Sequence, residues 1–129
     1  MATKAHAGQK RRTGEDYINH PMRVAQAVET NGAKMLAWLH DTLEDTKLTT
    51  DDLICNGFDM HIVSQLLFLT RKPRQTYFDY IMDLCRNGTY DALTVKIADL
   101  NDNLKDLEEG SMKDKYRFAL FMIEEVLNS

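Results

Sequence analysis

Apolar residues recur along the chain at helical rather than alternating spacing, in short blocks divided by glycine, asparagine and proline. Residues 2 to 7 read as the last turns of a helix that Gly8 ends, and Gln9 to Gly14 as a basic loop. From about Asp16 to Thr30, Ile18, Met22, Val24, Ala25 and Val28 mostly follow a helical period, with Pro21 tolerated because it lies near the start. Asn31-Gly32 is expected to end that helix, and residues 33 to 45 to form one central helix. Thr49 or Thr50 caps a short helix running to about Cys55, and Asn56-Gly57 closes it. Asp59 opens the next helix, whose Ile62, Val63, Leu66, Leu67 and Leu69 form a broad buried face until Lys72-Pro73-Arg74 breaks it. Three further helices are expected over 76 to 86, 90 to 108 and 112 to 127, separated by Asn87-Gly88 and Gly110. No convincing strand, internal repeat or low-complexity segment appears, which predicts an all-α bundle.

The chain has 129 residues and 43% hydrophobic content, enough for one core, so a single domain over residues 1 to 129 is expected. A net charge of −4 and a pI near 5.5 argue against a partner that is nucleic acid. Lys4, Lys10, Arg11 and Arg12 nevertheless gather ahead of the acidic stretch from Asp41 to Asp59. That polarity suits a small anionic ligand held between cationic side chains and a metal. Cys55 and Cys85, each beside aliphatic residues, read as small buried hydrophobes in a reducing cytosol. No apolar run approaches the ~20 residues of a membrane span, and no secretory signal is apparent, so a soluble cytoplasmic protein with no membrane partner is expected.

The chemistry concentrates in Trp38-Leu39-His40-Asp41-Thr42-Leu43-Glu44-Asp45-Thr46. On a continuous helix Glu44 lies beside His40 and Asp41, and Asp45 beside Asp41. Carboxylates crowded in this way raise one another's pKa unless a cation lies between them. His20 and Asp99 complete the order His, His-Asp, Asp from three separate helices. Two imidazoles and two carboxylates suit Mn²⁺, Fe²⁺, Zn²⁺ or Mg²⁺, and a metal so held favours hydrolysis of a phosphoester or phosphoanhydride. Asp99 and Asn103 share one helix face, whereas Asp102, Asp106 and His61 read as solvated surface.

His20, His40-Asp41 and Asp99 resemble the signature of the HD-domain metal-dependent phosphohydrolases. The surrounding words, His6-Ala7-Gly8-Gln9-Lys10-Arg11, Gly14-Glu15-Asp16-Tyr17-Ile18-Asn19-His20-Pro21, Leu39 to Thr46 and Lys96-Ile97-Ala98-Asp99, are similar to the hydrolase domain of RelA/SpoT proteins. They look nearest to the small stand-alone alarmone hydrolases of the metazoan SpoT type. The resemblance spans about residues 4 to 108. It implies an HD-domain helical bundle that removes the 3′-pyrophosphate of (p)ppGpp with Mn²⁺. The metal ligands it implies are His20, His40, Asp41 and Asp99, with Glu44 and Asp45 activating or positioning water. By the same resemblance Arg11 stacks on the base, Arg12 meets phosphate, Asn103 contacts the ribose, Tyr116 contacts the nucleotide and His6 is structural. Leu100 departs from a basic residue and Asp102 from an aromatic or His. A start late in the first helix and an early end are expected to remove walls of the pocket. The competing readings are an HD-type phosphatase of another nucleotide, such as the 2′-phosphate of NADPH, and a non-catalytic nucleotide-binding module. Intact Glu44 and Asp45 weigh against the latter, because binding alone needs no water-activating pair.

Overall fold

The computed structural model describes residues 1–11 and 13–129. Arg12, expected at phosphate, lies outside the described residues. The elements are α1 (Ala2–Ala5), α2 (Asn19–Ala27), α3 (Asn31–Leu39), α4 (Thr42–Asp45), α5 (Thr50–Cys55), α6 (Met60–Leu69), α7 (Tyr77–Asn87), α8 (Tyr90–Leu104) and α9 (Ser111–Asn128). Among the described residues the bundle is all-α, and the only β pairing is one isolated bridge, Lys10 with Asp16, across the basic loop.

α8 is the hub of the packing, touching α2, α3, α6 and α9. Its Val95 and Leu100 meet a core that includes Val24, Leu36, Leu66, Leu84 and Ile123, all essentially excluded from solvent. Removing such side chains from water is the main favourable contribution to the fold.

The first two large helices meet differently from the sequence expectation. Asn31-Gly32 does not end a helix but begins α3, and α2 stops at Ala27. The Thr30 hydroxyl accepts from the Ala33 amide, supplying an N-cap, while Lys34 donates to the carbonyls of Ala25 and Val28 that α2 leaves open. Thr30 also donates to Asp91 Oδ1 at 2.7 Å, tying the start of α3 to that of α8. A Cβ at Gly32 would lie 2.7 Å from Asp91 Oδ2, so a larger residue there forces this contact apart.

The central helix is not continuous. α3 ends at Leu39, His40 and Asp41 form a turn, and α4 follows as a separate short helix. His40 Nδ1 lies 2.6 Å from the Ala37 carbonyl and the Thr42 hydroxyl donates to the Leu39 carbonyl at 2.8 Å. Side chains therefore take up carbonyls at the end of α3, in the manner of a capped terminus. α8 ends at Leu104, short of the expected Glu108. The cysteines also differ from expectation, Cys55 being exposed and Cys85 half-buried, and both are free. No helix among the described residues is long and apolar enough to cross a membrane.

Candidate metal centre

The break after Leu39 turns His40 and Asp41 inward toward α2 and α8. His20 comes from the first turn of α2, where the missing N–H of Pro21 costs no helical bond. Asp99 comes from the middle of α8. One ligand-capable atom from each of His20, His40, Asp41 and Asp99 lies within 4.8 Å of the other three. His20, His40 and Asp99 are almost wholly buried, and Asp41 is partly open to the adjoining cleft.

The donor set calls for a cation. The Ala37 carbonyl can only accept, so His40 Nδ1 carries a proton. In the neutral ring Nε2 then holds a lone pair, and it faces Asp41 Oδ2 at 3.0 Å and Asp99 Oδ1 at 3.1 Å. A lone pair against two carboxylates is repulsive unless a proton or a metal ion lies between them. Without metal, burial disfavours the charged imidazole, but Asp41 and Asp99 outweigh it and hold the His40 pKa well above its ordinary value. Burial also raises Asp99, and Lys96, His40 and His20 more than reverse this. Lys96 donates to Asp99 Oδ2 at 2.8 Å and lies over the Tyr80 ring. The Tyr17 hydroxyl donates to Asp41 Oδ2. A divalent cation fits this mixed nitrogen and oxygen cluster, whose ligand atoms already converge.

A cleft of about 310 Å³ opens above Asp41 and Asp99. Glu44 and Asp45 lie on its rim. Partial desolvation, followed by repulsion from Asp41 and Asp45, pushes the Glu44 carboxyl up to about 7. Desolvation and Asp41 likewise raise Asp45. Asn103 and Tyr116 also line the cleft, and Tyr116 stacks on Tyr77 with centroids 5.7 Å apart.

Arg11 does not reach the cleft. Its side chain is 3% exposed, and its guanidinium donates to Glu15 Oε1 and Asn103 Oδ1, with Asp106 Oδ2 at 3.2 Å. Asp106 is exposed, as expected, while pairing with Arg11, whereas Asp102, also read as solvated, is 5% exposed between His20 and Arg23. Its position is set by Arg23, a partner too distant in sequence for a pattern to reveal. His61 is exposed, as expected. His6 is buried, with Nδ1 on Gln9 and its ring against Tyr17.

Three cleft residues were not singled out from sequence. Tyr77 falls within the helix expected over 76 to 86, and its buried hydroxyl lines the cleft without a hydrogen-bond partner among the described residues. Arg71 and Lys115 bring positive charge to the same wall and lie over the Tyr77 ring. The basic run Arg71-Lys72-Pro73-Arg74 was the available signal for Arg71.

No family model matches the chain. It is 33% identical over 132 residues to the guanosine-3′,5′-bis(diphosphate) 3′-pyrophosphohydrolase of Haemophilus influenzae, covering 91% of this chain and 19% of that protein. It is 42% identical over 143 residues to a putative chloroplastic GTP diphosphokinase of Oryza sativa, covering 93% of this chain and 16% of the relative. Along most of its length the chain is similar to one stretch of these RelA/SpoT-type proteins. It spans a fifth or less of their length. In fold it matches the solved structure of a metazoan ortholog of SpoT, described as hydrolysing ppGpp with a role in starvation responses. The TM-score is 0.74 at 22% identity, over 98% of this chain and 79% of that one. The His/Asp cluster lies buried where α2, α3 and α8 of this bundle meet.

Proposed function

We propose that this chain, as a single HD-type domain, hydrolyses the 3′-pyrophosphate of (p)ppGpp in a Mn²⁺-dependent reaction. The observation that carries the reading is the convergence of two imidazoles and two carboxylates beneath a cleft with acidic residues at its rim and cationic residues on its wall. The names of the H. influenzae relative and of the metazoan structure support the substrate.

His20, His40, Asp41 and Asp99 hold the metal in this proposal. The bound cation supplies charge screening at the phosphate and lowers the pKa of an adjacent water. Glu44 takes a proton from the attacking water, a task for which a carboxyl titrating near neutrality is suited, and Asp45 orients that water. Attack at the phosphorus next to the ribose breaks its bond to the 3′ oxygen. Pyrophosphate leaves, and the 3′ oxygen takes up a proton. Arg71 and Lys115 offset phosphate charge, Tyr116 and Tyr77 offer a ring surface and a hydroxyl, and Asn103 meets the ribose. Arg11 acts through Asn103, which it holds at 3.0 Å, rather than by stacking on the base. Arg12 keeps its role at phosphate on sequence resemblance alone.

The test is turnover of purified protein with Mn²⁺ against ppGpp, NADPH and common nucleotides, with products separated by chromatography. Release of pyrophosphate and GDP from ppGpp is expected. Phosphate release from NADPH with ppGpp untouched identifies the other phosphatase, and no turnover of any substrate identifies the non-catalytic module.

A further inference from the structure

Asp102 is buried beside the metal cluster yet lies outside it, and both of its oxygens are already committed. Oδ2 lies 2.6 Å from His20 Nδ1. Arg23 grips the same carboxylate from the other side, Nε to Oδ1 at 2.7 Å and Nη2 to Oδ2 at 3.0 Å. The remaining edge of that guanidinium reaches Glu15 at 2.8 and 3.1 Å, and Arg11 in turn donates to Glu15 at 2.9 Å. Asp102 is therefore fixed by a two-point contact to a cation that is itself fixed at its far end.

We infer that Asp102, clamped by Arg23, is a positioning residue that locks His20 in the tautomer bearing its proton on Nδ1, so that Nε2 is presented to the metal. Without metal both ring nitrogens face acceptors, Nδ1 the Asp102 carboxylate at 2.6 Å and Nε2 that of Asp99 at 2.8 Å; a cation on the Nε2 side, among the ligand atoms, leaves the proton on Nδ1, where Asp102 accepts it. The ring's other nitrogen lies 2.8 Å from Asp99 Oδ1 and 3.9 Å from Asp41 Oδ2, inside the ligand cluster. A carboxylate behind a ligating imidazole both orients the ring and makes its free nitrogen more basic. His40 obtains the same tautomer from a backbone carbonyl. The two imidazoles are thus set by different devices, and only that of His20 depends on a side chain open to substitution.

The inference rests on the metal assignment made above, and its test reads tautomer and metal binding as well as activity. In nitrogen-15 spectra of wild type loaded with diamagnetic Zn²⁺, His20 is expected to ligate through Nε2 and to carry its proton on Nδ1. Ligation through Nδ1 with the proton on Nε2 overturns the proposal without any variant. Asp102→Asn keeps the shape but puts an N–H on one side of the planar group, so one contact with His20 or Arg23 becomes donor against donor. Asp102→Ala removes the acceptor altogether. Both variants should lose the Nδ1–H preference and bind Mn²⁺ about 10- to 100-fold more weakly by calorimetry, the usual effect of losing such a partner. If either variant retains wild-type secondary structure by circular dichroism and binds Mn²⁺ within threefold of wild type, Asp102 is only a structural ion pair and the proposal fails. Weakened metal binding in a protein that never turns over ppGpp refutes the proposed function alone. Turnover of ppGpp with unchanged metal affinity in the variants refutes this inference alone.

Discussion

Adding Mn²⁺ to metal-free protein should raise its melting temperature by roughly 8 to 20 °C, and by more at pH 8 than at pH 6. His40 Nδ1 is committed to the Ala37 carbonyl, so only Nε2 can relieve the repulsion between Asp41 and Asp99. Without metal it does so as a protonated ring whose folded pKa is raised well above its ordinary value. A raised folded pKa contributes stability that is fully present below the unfolded value of about 6.5 and lost as pH rises through the folded one. The metal-free fold therefore weakens on the alkaline side. A cation takes the place of the proton, so Mn²⁺ competes with protonation and its advantage grows with pH. Free metal at about 100 to 1,000 times its dissociation constant stabilises by roughly 2.7 to 4.1 kcal/mol. For a domain of this size each kcal/mol moves the midpoint by about 3 to 5 °C. Thermal unfolding of chelator-treated protein at pH 6, 7 and 8, with and without Mn²⁺, measures the effect. A shift under 2 °C at every pH, or one that shrinks as pH rises, would refute the reasoning.

Glu44→Gln and Asp45→Asn should each lower kcat by roughly 10² or more while elemental analysis finds the metal still bound; unchanged turnover in both removes the pair from the water-activating role. Arg11→Lys should depress kcat/KM equally for a guanine nucleotide and for a base-free phosphoester, because the guanidinium braces Asn103 and Glu15 instead of meeting a base. A loss confined to the purine substrate restores the stacking role. Leu36→Ala, at a site with 1% exposure, should cost about 2 to 5 kcal/mol in urea unfolding, and a cost below 1 kcal/mol contradicts the packing described for α3.

The helices and the ligand order were legible because both are local. Apolar spacing located seven of the elements to within a few residues, and the His-Asp pair announces itself within one turn. The break at His40 was not legible, since a helical period continues through Leu43 and only the bonds to Ala37 and Leu39 end the helix. Asp102 misled for a related reason: on a helical wheel it is one more acidic residue near a charged end, and its burial depends on Arg23 from α2. Arg11 likewise reads as half of an exposed basic pair, while Glu15, Asn103 and Asp106 draw its guanidinium inward. Long-range pairing of charges, rather than helix formation, is what pattern reading missed.

The bond between Thr30 and Asp91 has a consequence for where the chain can change length. It joins α3 and α8 at their first turns, and the contact of His40 with Asp99 joins them again further along, so the two helices run in the same direction as a doubly fastened pair. One residue inserted within either fastened span would swing its ligand about 100° around the helix axis, out of the cluster. The crossover from Lys47 to Gly88, which carries α5, α6 and α7, lies outside both spans. Loops there can lengthen or shorten without altering the separation of His40 and Asp99, which makes the crossover the part of this bundle where the wall facing a substrate can be rebuilt while the metal centre stays put.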